Sequence, residues 1–162
     1  ILLRAPRNRL TERDAWEFYV RSDSDGRPVW TRDVRARGSV FSHSDACLRS
    51  AMTYCAPLRR YLWWQHLPQS PGVTKDRGDT RFTGGFAIYD APEPWGPWTT
   101  VFVTEDWDVG PGETGSFPSK WMSADGRTLH YVSSGSDSFS VRKATLMLKA
   151  ADSVVPGEHP PK

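Results

Sequence analysis

The run Trp95-Gly96-Pro97-Trp98 constrains the fold of this chain more than any other, because it separates two short apolar segments, Gly84 to Tyr89 and Val101-Phe102-Val103. Pro97 fixes φ and removes an N–H donor, and Gly96 tolerates a tight backbone, so a helix does not run through this region. The two segments read instead as strands joined by a corner, with two indoles available to cap the hairpin end.

The rest of the chain reads the same way. Eight tryptophans with 13 glycines and 13 prolines in 162 residues point to an all-β domain with many turns. Ala15 to Val20 is a short aromatic strand, Asp23-Ser24-Asp25-Gly26 a turn, and Pro28-Val29-Trp30-Thr31 its antiparallel partner. A second hairpin runs from Ser50 to Tyr54, turns through Pro57 to Arg60, and returns over Tyr61 to Gln65. Leu67 to Asp79 is a polar, Pro/Gly-rich loop. Ser119 to Met122, the Ala124-Asp125-Gly126-Arg127 turn and Leu129 to Val132 read as a third hairpin, and Phe139 to Leu148 as a further strand.

Tyr54 and Trp121 would then be equivalent positions about 67 residues apart, longer than the ~40–50 residues of short propeller repeats. These units suit a partial β-propeller of about two to three antiparallel, four-stranded blades. An outer hairpin spans 14–33, a full blade 49–103 and a last blade 113–148; 151–162 reads as a disordered tail. Too few blades are present to close a ring, and the first residue is Ile1, so a processed chain or a segment of a longer one is expected.

Charge narrows the partners. Twenty-one basic and 19 acidic residues leave +2, and outside Arg4 to Arg13 and Arg32 to Arg37 the basic residues are scattered. That is not the stripe of a nucleic-acid binder. No apolar run approaches the ~20 residues of a membrane span. Cys47 and Cys55 fit either two separate thiols or a hairpin disulfide, and zinc lacks a second ligand pair. No phosphate loop, dinucleotide fingerprint or Gly-x-Ser-x-Gly motif occurs, so no cofactor is expected. Asp76 and Asp79 around Gly78 lack the ordered ligand spacing of a calcium loop.

Three segments carry a resemblance: Gly84 to Trp98, Lys120-Trp121-Met122-Ser123-Ala124-Asp125-Gly126, and Phe139 to Ala144. They resemble a bacterial family of domain-of-unknown-function proteins that is similar to the five-bladed β-propeller glycosidases, the arabinanase and xylosidase type of glycoside hydrolase family 43. The likeness covers Asp14 to Leu148. It implies a fold, a carbohydrate polymer or oligosaccharide as partner, the remainder of a longer propeller chain, and an extracellular or periplasmic setting. Some relatives are described as arabinofuran-degrading enzymes. Such glycosidases set one carboxylate on each of three blades at the channel mouth. Only later blades are recognisable here, so a catalytic base is expected upstream of Ile1.

Residues at the start of each inner strand are the natural ligand contacts. Glu113, between Gly112 and Thr114, suits a general acid that protonates a leaving oxygen; it equally suits a solvated loop carboxylate. Arg49 holds the equivalent place before Ser50, as a sugar contact or as an ion-pair partner of Glu113. Glu105, Asp106 and Asp108 around Trp107 have the composition of a sugar subsite, an indole face for the ring and carboxylates for its hydroxyls. Lys120 completes the substrate-binding candidates. Trp16, Trp30, Trp63, Trp95, Trp98 and Trp121 are expected to pack in the core, and His43 and His66 to be structural. The functions that follow are a glycosidase or part of one, a non-catalytic carbohydrate-binding module, or a scaffold that binds protein.

Overall fold

A computed structural model describes residues 1–42, 49–67, 85–104, 114–135 and 138–148. The chain is all-β, with three antiparallel sheets and, among the described residues, no α-helix. Each sheet is a meander in which sequence neighbours pair. The first holds β1 (Leu3–Arg4), β2 (Glu17–Ser22) and β3 (Pro28–Thr31). The second holds β4 (Ser50–Cys55), β5 (Arg60–His66), β6 (Phe86–Ala91) and β7 (Thr99–Thr104) in that order. The third holds β8 (Thr114–Ser116), β9 (Thr128–Gly135) and β10 (Ser138–Thr145).

Local chemistry fixes the hairpins. In the β2–β3 turn Gly26 takes φ 77°, while the Asp23 carboxylate accepts the N–H groups of Asp25 (2.9 Å) and Arg27 (2.8 Å). The turn before β9 is built alike. Gly126 takes φ 70°, Asp125 accepts from Arg127 N–H at 3.0 Å, and the Ser123 hydroxyl accepts from Thr128 N–H at 2.9 Å. Between β6 and β7 the Gly96–Pro97 peptide is cis and Gly96 has φ 99°, so the corner read from the sequence is there.

The middle sheet is covered on both faces because β5 alternates. Leu62, Trp64 and His66 face the third sheet; with Phe86, Cys55, Phe117, Leu129 and Tyr131 they bury a continuous apolar layer. Trp64 is 0% exposed and lies 6.2 Å from the Tyr131 ring, which stacks on Phe86 at 5.2 Å. Trp63 takes the opposite face, where Phe41 stacks on it at 5.4 Å and Trp98 meets it edge-on at 5.3 Å. Trp95 then reaches Trp30 of the first sheet at 6.1 Å. The corner therefore clamps two sheets together, and Trp98 secures it by donating its indole N–H to the Val40 carbonyl at 3.0 Å.

One expected strand is absent. Ser119–Trp121 is a 3-10 turn, closed by Trp121 N–H on the Pro118 carbonyl at 3.0 Å, and β8 takes its place as first strand of the third sheet. Pro118, at φ −60° and ψ 123°, starts the turn. The Tyr54–Trp121 equivalence fails with it, because Tyr54 is in a strand and Trp121 in a connection. Trp121 is also not core: it is 46% exposed and meets His130 edge-on. Cys55 is a free, buried thiol, which answers the disulfide alternative on its side; Cys47 lies outside the described residues. The tail, 151–162, lies outside them too.

Candidate ligand-binding site

The first strands of the middle and third sheets, β4 and β8, lie against each other. Their direction follows from the turns. Gly126, just before β9, packs on the β4–β5 turn: a Cβ there would come within 2.7 Å of Leu58 Cγ and 3.1 Å of Pro57 Cβ, and the Cys55 thiol lies 4.0 Å from the Gly126 carbonyl. β8 pairs antiparallel with the second half of β9, Ser116 opposite Val132, so it runs toward the turn at Gly126 and hence toward the end of β4. The two strands are therefore parallel, and both begin at one end of the molecule.

That end is polar. Arg49, exposed, precedes β4, and its carbonyl accepts the His66 N–H at 2.9 Å and the Gln65 side-chain amide at 3.3 Å. Gln65 is fully buried; its amide also donates to the His66 carbonyl (2.9 Å), and its oxygen accepts from the Trp63 indole (3.1 Å). This closed set fixes the backbone from which Arg49 projects. His66 ends β5 at 1% exposure, beside Trp64. Burial, reinforced by the Arg49 charge, lowers its pKa to about 4, so the ring is neutral at pH 7.

On the neighbouring strand Thr114 opens β8, opposite Ser134, and the Ser133 hydroxyl bonds that of Ser140 at 2.8 Å. Gly115 follows, and only a glycine fits: a Cβ would overlap the Tyr131 phenol. Burial pushes the Tyr131 phenol well above its usual pKa, while Arg142, its partner on β10, pulls it back. Tyr131 thus stays a neutral hydroxyl beneath the start of β8.

The sequence candidates divide accordingly. Arg49 stands at this polar end. Lys120 does not, for its turn lies at the start of β9, where the Trp121 carbonyl meets His130 Nδ1 at 2.8 Å, beyond the far end of β8. Glu113, Glu105, Asp106, Trp107, Asp108 and His43 lie outside the described residues, as do Asp76 and Asp79. Read from the sequence, Gln65 carries no role and its strand ends one residue short of His66, which is expected to be structural. The period-two alternation of Leu62, Trp64 and His66 was the signal that would have carried β5 through to its last residue. Among the described residues no group of three His, Cys, Asp or Glu side chains is placed to hold a metal ion, and no helix is long and apolar enough to cross a membrane.

Comparison of the chain with protein-family models, with curated proteins and with solved structures found no match to any of them.

Proposed function

We propose that the chain is a glycosidase-like β-propeller unit, or a piece of one, that handles a polysaccharide at the end where β4 and β8 begin. The observation that supports this reading is the parallel course of those two strands, each the first of its own meander, with the middle sheet sandwiched between its neighbours. Sheets stacked face to face with parallel inner strands are the arrangement of propeller blades, and such blades present ligand contacts where the inner strands start. Arg49, braced by Gln65 and His66, supplies a guanidinium for sugar hydroxyls or a carboxylate. Thr114 and Ser134, paired across β8 and β9, add hydroxyls where β8 begins.

Glycosidic hydrolysis is the chemistry proposed for that end. Glu113, immediately before Thr114 in sequence, acts as the acid: its proton goes to the leaving oxygen as the glycosidic bond breaks. Water adds its oxygen to the anomeric carbon, and a second carboxylate, from outside these sheets, takes the proton water gives up. Trp107 with Asp106 and Asp108 forms a sugar subsite in the same reading. Arabinan and xylan are the substrates to assay. Loss of turnover with retained sugar binding in Glu113→Gln supports the enzyme. Unchanged turnover removes Glu113 as the acid. Glycan binding without turnover in the parent chain supports the second reading, a carbohydrate-binding module built on Arg49. Absence of any glycan binding contradicts both and leaves the scaffold.

A further inference from the structure

The first sheet is basic in a particular way. Residues 1–42 hold nine arginines and no lysine. Several are neutralised: Arg4 pairs with Glu17 at 2.8 Å, Arg9 with Glu12 at 2.6 Å and with Asp14 at 3.6 Å, and Arg27 with Asp25 at 3.7 Å. Arg21, Arg32 and Arg35 are exposed and make no ion pair among the described residues. Arg37, also exposed, spends one guanidinium N–H on the Val34 carbonyl at 2.8 Å, which orients it without neutralising it.

The segment that carries them is held at both ends. The Asp33 N–H bonds the Thr31 hydroxyl at 3.1 Å, and the Asp33 carboxylate accepts Arg35 N–H at 2.9 Å, capping a 3-10 turn over Val34–Ala36. Gly38 then docks on the β2 bulge, its N–H on the Tyr19 carbonyl at 2.7 Å. It lies so close to the Val20 carbonyl that a Cβ would overlap it. That contact brings Arg37 back along β2 toward Arg21. Arg35 and Arg37, two residues apart, stand within ~7 Å along the backbone. That is inside the ~8 Å screening length of physiological salt. Their potentials add, offset in part by the exposed Asp33 carboxylate that caps the turn, and the docked segment keeps their backbones close.

We infer that Arg21, Arg32, Arg35 and Arg37 form a docking surface for an anionic polysaccharide, one bearing repeated carboxylate or phosphate groups. Arginine, to the exclusion of lysine, suits this partner because its planar fork takes both oxygens of such a group at once. The inference rests on the polysaccharide reading above and sharpens it by naming the charge of the polymer that the first sheet holds.

The test is binding of polygalacturonate, phosphorylated dextran and neutral dextran to the full chain, at low salt and at 0.5 M salt. The account expects both charged polymers to bind at least tenfold more tightly than neutral dextran at low salt, with the difference collapsing at high salt. Tighter binding of polygalacturonate identifies the carboxylate, and of phosphorylated dextran the phosphate. Arg32→Gln with Arg35→Gln, which leaves the Arg37–Val34 bond in place, weakens binding of the charged polymers at least fivefold. Equal binding of charged and neutral polymers, or no effect of the double substitution, overturns the inference. So does a DNA duplex that binds more tightly than either charged polymer. Arg49→Ala separates the two proposals: it lowers turnover or binding of neutral arabinan and leaves the salt-sensitive binding of polygalacturonate intact. Loss of the first effect alone sinks the β4–β8 site, and loss of the second alone sinks the arginine surface.

Discussion

The two faces of the middle sheet are held by different physics. Toward the third sheet, Trp64, Leu62, Phe86, Cys55, Phe117, Leu129 and Tyr131 are all buried and meet mainly by ring and aliphatic contact. Toward the first sheet, Leu67, Ala87 and Tyr89 make a smaller buried cluster with Phe41, Trp63 and Trp98 partly buried around it, and the Trp98 indole bonds the Val40 carbonyl. The first contact is a close-packed core, sensitive to volume. The second is a smaller seam, a cluster bordered by partly buried rings, stacked and edge-on, with a polar bond from Trp98 at its margin. The Arg49 backbone is tied to both faces, through His66 on the tight one and through Gln65 and Trp63 on the other.

Substitutions should separate the two. Trp64→Ala empties the centre of the tight face and should cost about 3–5 kcal/mol in chemical denaturation. A loss below about 1 kcal/mol would mean that this face is not the core. His66 should give the next effect. Folding lowers its pKa from 6.5 to about 4, so the unfolded chain binds a proton that the folded chain refuses. The resulting stability is complete above pH 6.5 and is lost as pH falls toward 4, on the order of 3 kcal/mol in all. His66→Gln should flatten the stability profile across that window; a profile of unchanged slope would assign the acid sensitivity elsewhere. Gly115→Ala drives a methyl into the Tyr131 phenol and should cost about 1–3 kcal/mol, with the Tyr131 side-chain resonances shifting most. Trp98→Phe keeps the ring on Trp63 and removes only the bond to Val40, so about 1 kcal/mol is expected from the seam. If Trp98→Phe proved as costly as Trp64→Ala, the contrast between the faces would be lost. The half-buried pair Arg60–Asp90, at 2.7 Å, should matter least, about 1 kcal/mol or less for Arg60→Ala.

The strands were legible where the sequence alternates and where turns are marked by Asp-Gly or Gly-Pro. Pro28–Thr31 and the β4–β5 hairpin are seen directly in the residues, and so is the corner at Trp95 to Trp98. The third sheet was misread for a physical reason. Thr114-Gly115-Ser116 has little intrinsic strand preference, and its glycine is there because the Tyr131 ring needs the space, a tertiary demand invisible locally. Lys120-Trp121-Met122 looks apolar enough for a strand, yet Pro118 turns the chain before it. At the site, Arg49 was legible from its place before a strand. Gln65 was not, since its role is to satisfy a neighbouring carbonyl and an indole across the sheet.

The most direct test of the proposed site is to titrate the isotope-labelled chain with an arabinan or xylan oligosaccharide and follow its backbone amides. Shifts concentrated at Arg49, Gln65, His66, Thr114 and Ser134, with Pro57-side and Gly126-side turns silent, are the expected outcome. Shifts confined to those turns, or none with any glycan, would contradict a sugar-binding edge where the two parallel strands begin.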